Sequence, residues 1–144
     1  DKVESKRADF LEDEVMTRIR MAPDRLPVGN FSVIPALHYL RLTHKTYDTY
    51  QAAATLDDYA GTDFPLAQGR LRAYTLRYPE FEREVVYVFS AAPPYYLEGW
   101  LDTYPDGREG SLLTTKAVRT GTLLEPYWQQ QAAADRDKRR LLGL

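Results

Sequence analysis

The chain has 144 residues, enough for one domain with an ordinary core and too few for two. Its 44% hydrophobic and 28% charged residues exclude a disordered tail and a membrane-embedded bundle. Nineteen Lys+Arg against 21 Asp+Glu leave a formal charge of −2, which argues against a dedicated nucleic-acid binder. The absence of cysteine excludes disulfides, thiolate zinc sites and cysteine nucleophiles.

The first periodic stretch runs from Asp9 to Met21. Phe10, Leu11, Val15, Met16 and Ile19 recur at three- and four-residue spacing, which predicts a helix over 9–21. Glu12, Asp13 and Glu14 load its first turn, Arg18 and Arg20 its last, the order that suits the helix dipole. Pro23 ends it, and 23–30 reads as a loop.

From Phe31 the period changes. Phe31–Ile34 is a short apolar run, and His38, Leu40, Leu42 and His44 alternate with Tyr39, Arg41, Thr43 and Lys45 in strand fashion up to about Tyr50. Residues 51–56 suit either helix or strand, and 57–69 reads as a turn or long loop. Strands are expected at 71–78, at 84–90 with its dense β-branched and aromatic patch, at 95–104 with Gly99 as a bulge or close-contact point, and at 112–122. Pro105-Asp106-Gly107 is a turn between the last two. A final helix is expected over 127–142, with Pro126 at its start and Gly143 as C-cap. The expected class is α+β: an antiparallel sheet of about five strands flanked by an N-terminal and a C-terminal helix, in one domain over 1–144.

The two histidines, His38 and His44, share a face of the presumed strand but lie roughly 20 Å apart at strand rise, so no shared metal is expected. Glu12-Asp13-Glu14 reads as a solvated, dipole-complementing cluster rather than paired catalytic carboxylates. No G-x-S-x-G elbow, G-x-G-x-x-G or Walker loop occurs, so no catalytic residue and no cofactor is assigned. Lys138-Arg139-Arg140 is interleaved with Asp135 and Asp137, the pattern of a solvated helix end; no nucleic-acid partner is expected. No run approaches the ~20 apolar residues of a spanning helix.

The stretch 93–104 offers the candidate binding residues. On a regular strand Tyr96, Trp100 and Tyr104 share one face with Glu98 and Asp102 between them. An aromatic stripe with carboxylates suits a groove for a sugar or a cation; the same pattern also suits an amphipathic strand covered by the terminal helix. Charge is sparse on the Thr-rich strand 112–122, so a partner chain or a preceding half of the protein is expected to complete the sheet or cover its open face. Tyr127 and Trp128 are expected to anchor the final helix on the core.

Several segments in order resemble a Bacteroidota family that carries the label septum formation inhibitor Maf. They are Phe10-Leu11-Glu12-Asp13-Glu14 with Ile19-Arg20, Leu26-Pro27-Val28-Gly29, Ile34-Pro35, Tyr39-Leu40-Arg41-Leu42 and His44-Lys45. Tyr78-Pro79-Glu80, Thr103-Tyr104, Leu113-Thr114-Thr115-Lys116, Tyr127-Trp128, Ala134-Asp135-Arg136 and Arg140-Leu141-Leu142-Gly143-Leu144 continue the series. The resemblance is to the C-terminal half of that family. It implies a lipoprotein-like protein of the cell envelope, periplasmic or surface-exposed, with a lipid anchor on a longer precursor. The function it suggests is a non-catalytic accessory module or a subunit of a membrane-associated assembly. The label itself implies the alternative, a nucleotide pyrophosphatase. Genuine Maf enzymes carry an S-x-S-P-R-R phosphate loop, and this chain has no Ser-Pro-Arg, so no catalytic position is carried over.

Overall fold

The computed structural model describes residues 5–107, 110–130 and 132–143. Seven strands form one sheet whose spatial order follows the chain: β1 (Phe10–Leu11), β2 (Gly29–Ile34), β3 (Tyr50–Tyr59), β4 (Leu71–Tyr78), β5 (Arg83–Ser90), β6 (Leu97–Pro105) and β7 (Leu112–Val118). From β2 to β7 every neighbour is antiparallel, a meander in which a helix over Leu37–Leu42 lies between β2 and β3 and a longer loop between β3 and β4. β1 pairs with β2 in parallel, Phe10 opposite Val33. The class is therefore α+β as expected, but the sheet is larger than five strands and mixed.

The parallel edge arises because the first periodic stretch is not a helix from its start. Asp9 bridges to β2 through its backbone N–H to Ser32 O and through its carboxylate, which accepts the Ser32 N–H. Phe10 and Leu11 are thereby extended, a single 3₁₀ turn covers Glu12–Glu14, and helix α1 is limited to Val15–Met21. A parallel pair needs a crossover, and α1 supplies it.

The strand expected over 38–50 is corrected. Helix α2 occupies Leu37–Leu42, and β3 begins only at Tyr50 and continues through the expected loop positions 57–59. Tyr39 and Leu40 are the residues it buries, three and four positions after the buried Ala36 that precedes it; the alternation of His38, Leu40, Leu42 and His44 was accidental. His38 and His44 are consequently not on one strand face.

The final helix over 127–142 is also corrected. Residues Tyr127–Gln129 and Ala133–Leu142 are 3₁₀ segments with no buried residue. Tyr127 and Trp128 are 77% and 64% exposed and stack edge-on to each other, so they do not anchor the segment on the core. It is held by its own pairs: Lys138 Nζ and Gln130 Nε2 donate to Glu125, and Leu142 lies against Gly121.

Period-2 alternation divides the sheet faces. Tyr74, Leu76 and Tyr78 of β4, and Val85, Tyr87 and Phe89 of β5, point to the face covered by α1 and α2, where they meet Val15, Ile19, Tyr39 and Leu40. On the opposite face the loop after β3 folds back, and Phe64 packs on Ala73 and Val88. Phe64 also lies over Gly99 of β6, where a Cβ would overlap the Phe64 ring and the Ala117 carbonyl oxygen. That close approach is why position 99 is glycine.

Candidate functional site

Three charged side chains are buried at the helical face. Glu12, from the 3₁₀ turn ahead of α1, Arg83, at the head of β5, and Asp102, in the middle of β6, are each no more than 3% exposed. The Arg83 guanidinium forks two ways. Nη1 and Nη2 donate to the Glu12 carboxylate at 2.7 Å each, and Nε and Nη2 donate to Asp102 at 2.8 Å each. The Tyr78 hydroxyl donates to Glu12 at 2.8 Å and the Tyr87 hydroxyl at 3.2 Å, while the guanidinium carbon stands 3.9 Å from the Tyr39 ring centroid. Among the described residues no buried side-chain polar atom is left without a partner.

The electrostatics follow from that packing. Burial disfavours the charged form of Arg83, but the hydrogen bonds it donates to Asp102 and Glu12, with their negative charges, outweigh it and push its pKa up. Burial first, and then the Glu12 charge, push Tyr78 and Tyr87 well above the ordinary tyrosine value. Tyr39 is raised to about 12, chiefly by burial. Every one of these groups is fixed in its neutral or paired state, and the cluster pins the N-terminal arm to the centre of the sheet.

The reading of Glu12-Asp13-Glu14 as a solvated cluster is thus corrected for Glu12, which is the anchor of the arm. Asp13 accepts the Leu37 N–H at the start of α2, and Glu14 pairs with Arg18 at 3.0 Å. The carboxylates expected between the aromatic residues of β6 are likewise committed: Asp102 to Arg83, and the buried Glu98 to Arg119 at 2.7 Å.

A groove of about 850 Å³ opens beside the ion cluster at one end of the sheet. Its floor is Tyr104, half-buried and edge-on to Tyr39 with ring centroids 5.2 Å apart, together with Phe81. One wall is the C-terminal end of α2, with Leu42 70% exposed; the other is the β6–β7 hairpin, with Leu113 54% exposed. His44 and Lys45 rim it on the α2 side, Glu80 and Glu82 on the β4–β5 turn, and Lys45 Nζ stands 4.5 Å from the Phe81 ring centroid. His44 (φ 53°) and Glu82 (φ 49°) both adopt the left-handed backbone region that L-residues rarely occupy.

The three aromatic residues singled out on 93–104 do not form one surface. A bulge in β6 sets Val88 opposite Gly99 and Phe89 opposite Leu97 and skips Glu98, so Leu97, not Tyr96, joins Trp100 and Tyr104 against the main core. Tyr96 lies outside the strand, with Arg119 above its ring, near Met16, Thr17 and Arg20. The strand from Leu97 to Tyr104 alone spans roughly 23 Å, so Tyr96 and Tyr104 stand at opposite ends of β6. Of the three only Tyr104 reaches the groove; the other groove residues come from the β6–β7 hairpin, from the end of α2 and from the β4–β5 turn, and the strand reading of 38–50 kept the α2 residues apart from it.

His38 is 57% exposed with Nε2 4.0 Å from Asp102, and it does not meet His44. Among the described residues no group of three or more His, Asp or Glu is placed to hold a metal ion. No described helix is long and apolar enough to cross a membrane. Comparison with protein-family models, curated proteins and solved structures finds no match in any of the three.

Proposed function

We propose that the protein is a non-catalytic binding module of the cell envelope, and that the groove at the end of the sheet receives an apolar side chain of a partner protein. The observation that carries this reading is the juxtaposition of two exposed leucines, Leu42 and Leu113, over the half-buried Tyr104 inside a ring of charged residues. An apolar centre with a polar rim is the anatomy of a protein interface, and about 850 Å³ is room for a large side chain with its neighbours. Tyr104 is held edge-on by Tyr39, so it offers contact area at little entropic cost. The placement in the envelope rests on the resemblance of the sequence alone.

The test is site-specific photo-crosslinking from Thr43, at the groove wall, in cells expressing the natural full-length protein. A defined polypeptide adduct is expected, and Leu42→Asp, which alters only an exposed wall residue, should abolish it. An adduct that survives Leu42→Asp would refute the groove. Release of pyrophosphate from nucleoside triphosphates by the purified chain would overturn the non-catalytic reading in favour of the hydrolase that the family label implies.

A further inference from the structure

Among the described residues no strand pairs with the outer edge of β7. At both ends of the β6–β7 ladder the backbone bonds fix the phase: Asp106 N–H donates to Ser111 O and Arg119 N–H donates to Glu98 O, each at 2.7 Å. Hydrogen-bonded pairs alternate along an antiparallel ladder, so Leu113, Thr115 and Ala117 direct their N–H and C=O groups at β6. Leu112, Thr114, Lys116 and Val118 direct theirs outward, away from the sheet.

We infer that two copies of this chain associate through antiparallel β7–β7 pairing about a two-fold axis at Thr115, joining the two sheets into one. In that register Leu112 meets Val118 of the second copy, Leu113 meets Ala117, Thr114 meets Lys116, and Thr115 meets itself. All the residues that would exchange hydrogen bonds across the axis are those whose backbone groups face outward, so the phase set by β6 is the phase the dimer needs. The side-chain pattern of Leu112–Val118, two apolar, three polar, two apolar, reads the same in both directions. An isologous contact requires that self-complementarity. A different strand laid on this edge would use the same outward-facing groups but would not need the palindrome.

The usual protections of an edge are missing. β7 carries no proline and no bulge, and its single charge, Lys116, is already paired with Asp63 of its own chain at 3.3 Å. The two lysines of the dimer would stand on the diagonal, each beside its own aspartate, rather than opposed. Leu112 and Val118 are among the exposed large hydrophobic residues, and the pairing sets each beside the other across the two-fold.

Sedimentation equilibrium and two cysteine variants of this cysteine-free chain test the inference. The wild-type chain is expected to show a dimer mass that dissociates on dilution. Thr114→Pro deletes an outward N–H while leaving the β6 ladder intact, and should raise the dissociation constant tenfold or more with an unchanged circular-dichroism spectrum. Non-bonded pairs bring Cα atoms to about 4.5 Å, within the disulfide range. Thr115→Cys should therefore oxidise to a covalent dimer, whereas Leu112→Cys, whose mate lies six residues away along the strand, should not. A chain that is monomeric at all concentrations refutes the inference. So does a dimer indifferent to Thr114→Pro, or equal cross-linking by the two cysteine variants. The readout is mass, so it stands or falls separately from the groove.

Discussion

Replacing Arg83 by methionine would remove the guanidinium from a site that keeps two buried carboxylates. The substitution preserves much of the side-chain volume and deletes the fork to Glu12 and Asp102. Glu12 retains the Tyr78 and Tyr87 hydroxyls, but Asp102 retains only His38, 4.0 Å away and largely in solvent. Breaking a buried pair from one side costs about 3–5 kcal/mol, because the charge left behind is neither hydrated nor matched. With a urea slope of about 2 kcal/mol per molar, the unfolding midpoint should fall by roughly 1.5–2.5 M at neutral pH with the slope unchanged. The combined variant Glu12→Gln, Arg83→Met, Asp102→Leu removes all three charges and keeps an amide oxygen for the two tyrosines. It should lose less stability than Arg83→Met alone, since no uncompensated ion remains. A loss below about 1 kcal/mol in the single variant, or a larger loss in the triple, would refute the reasoning.

Three further outcomes are expected. Tyr39 and Tyr59 are pushed up to about 12 against 10.0 for the free side chain, Tyr39 by burial and Tyr59 by burial and then its bond to Asp63. Their folded pKa values are raised, so their contribution is complete below pH 10 and lost as pH rises through 12; urea midpoints should fall in that window, and an unchanged midpoint at pH 12 would contradict this. Gly99→Ala forces a methyl into the Ala117 carbonyl and the Phe64 ring and should cost about 1–3 kcal/mol by chemical denaturation, whereas Gly107→Ala, in open space, should cost little. Deleting residues 125–144 should leave the thermal midpoint within about 1 °C of the parent, because the described residues of that segment bury nothing on the sheet; a drop of several degrees would show a docking contact.

The central hairpins were legible because nothing competes with the period-2 signal there. Leu71–Tyr78 is a strand as read, and 84–90 and 95–104 are off by no more than two residues at either end. Two of the failures share one cause, a residue whose partner lies far along the chain, while the broken face at Tyr96 comes from the local bulge in β6. Tyr39 and Leu40 fit a strand or a helix by local pattern, and only the sheet beneath α2 decides between them. Glu12 looks like one of three surface acids until β5 places Arg83 beneath it. A signal did exist for the ion cluster. Arg83 shares parity with Val85, Tyr87 and Phe89, and Asp102 with Trp100 and Tyr104, so two adjacent strands each carry one charge of opposite sign on an otherwise apolar face. The groove was half legible, since Tyr104 was singled out, but its walls come from elements that the sequence does not bring together.

A sheet whose order repeats the chain order also dictates a sequence of assembly. Each hairpin from β4 to β7 closes over a short connection at modest entropic cost, so these strands pair without waiting for anything distant. Arg83 finds Asp102 within that process, 19 residues away, but Glu12 is 71 residues away and must arrive afterwards. Until it does, the guanidinium is only half matched and the tyrosine hydroxyls at 78 and 87 have no acceptor. The N-terminal arm therefore closes the longest-range contact of the cluster, a clasp laid over strands whose own pairings lie closer along the chain.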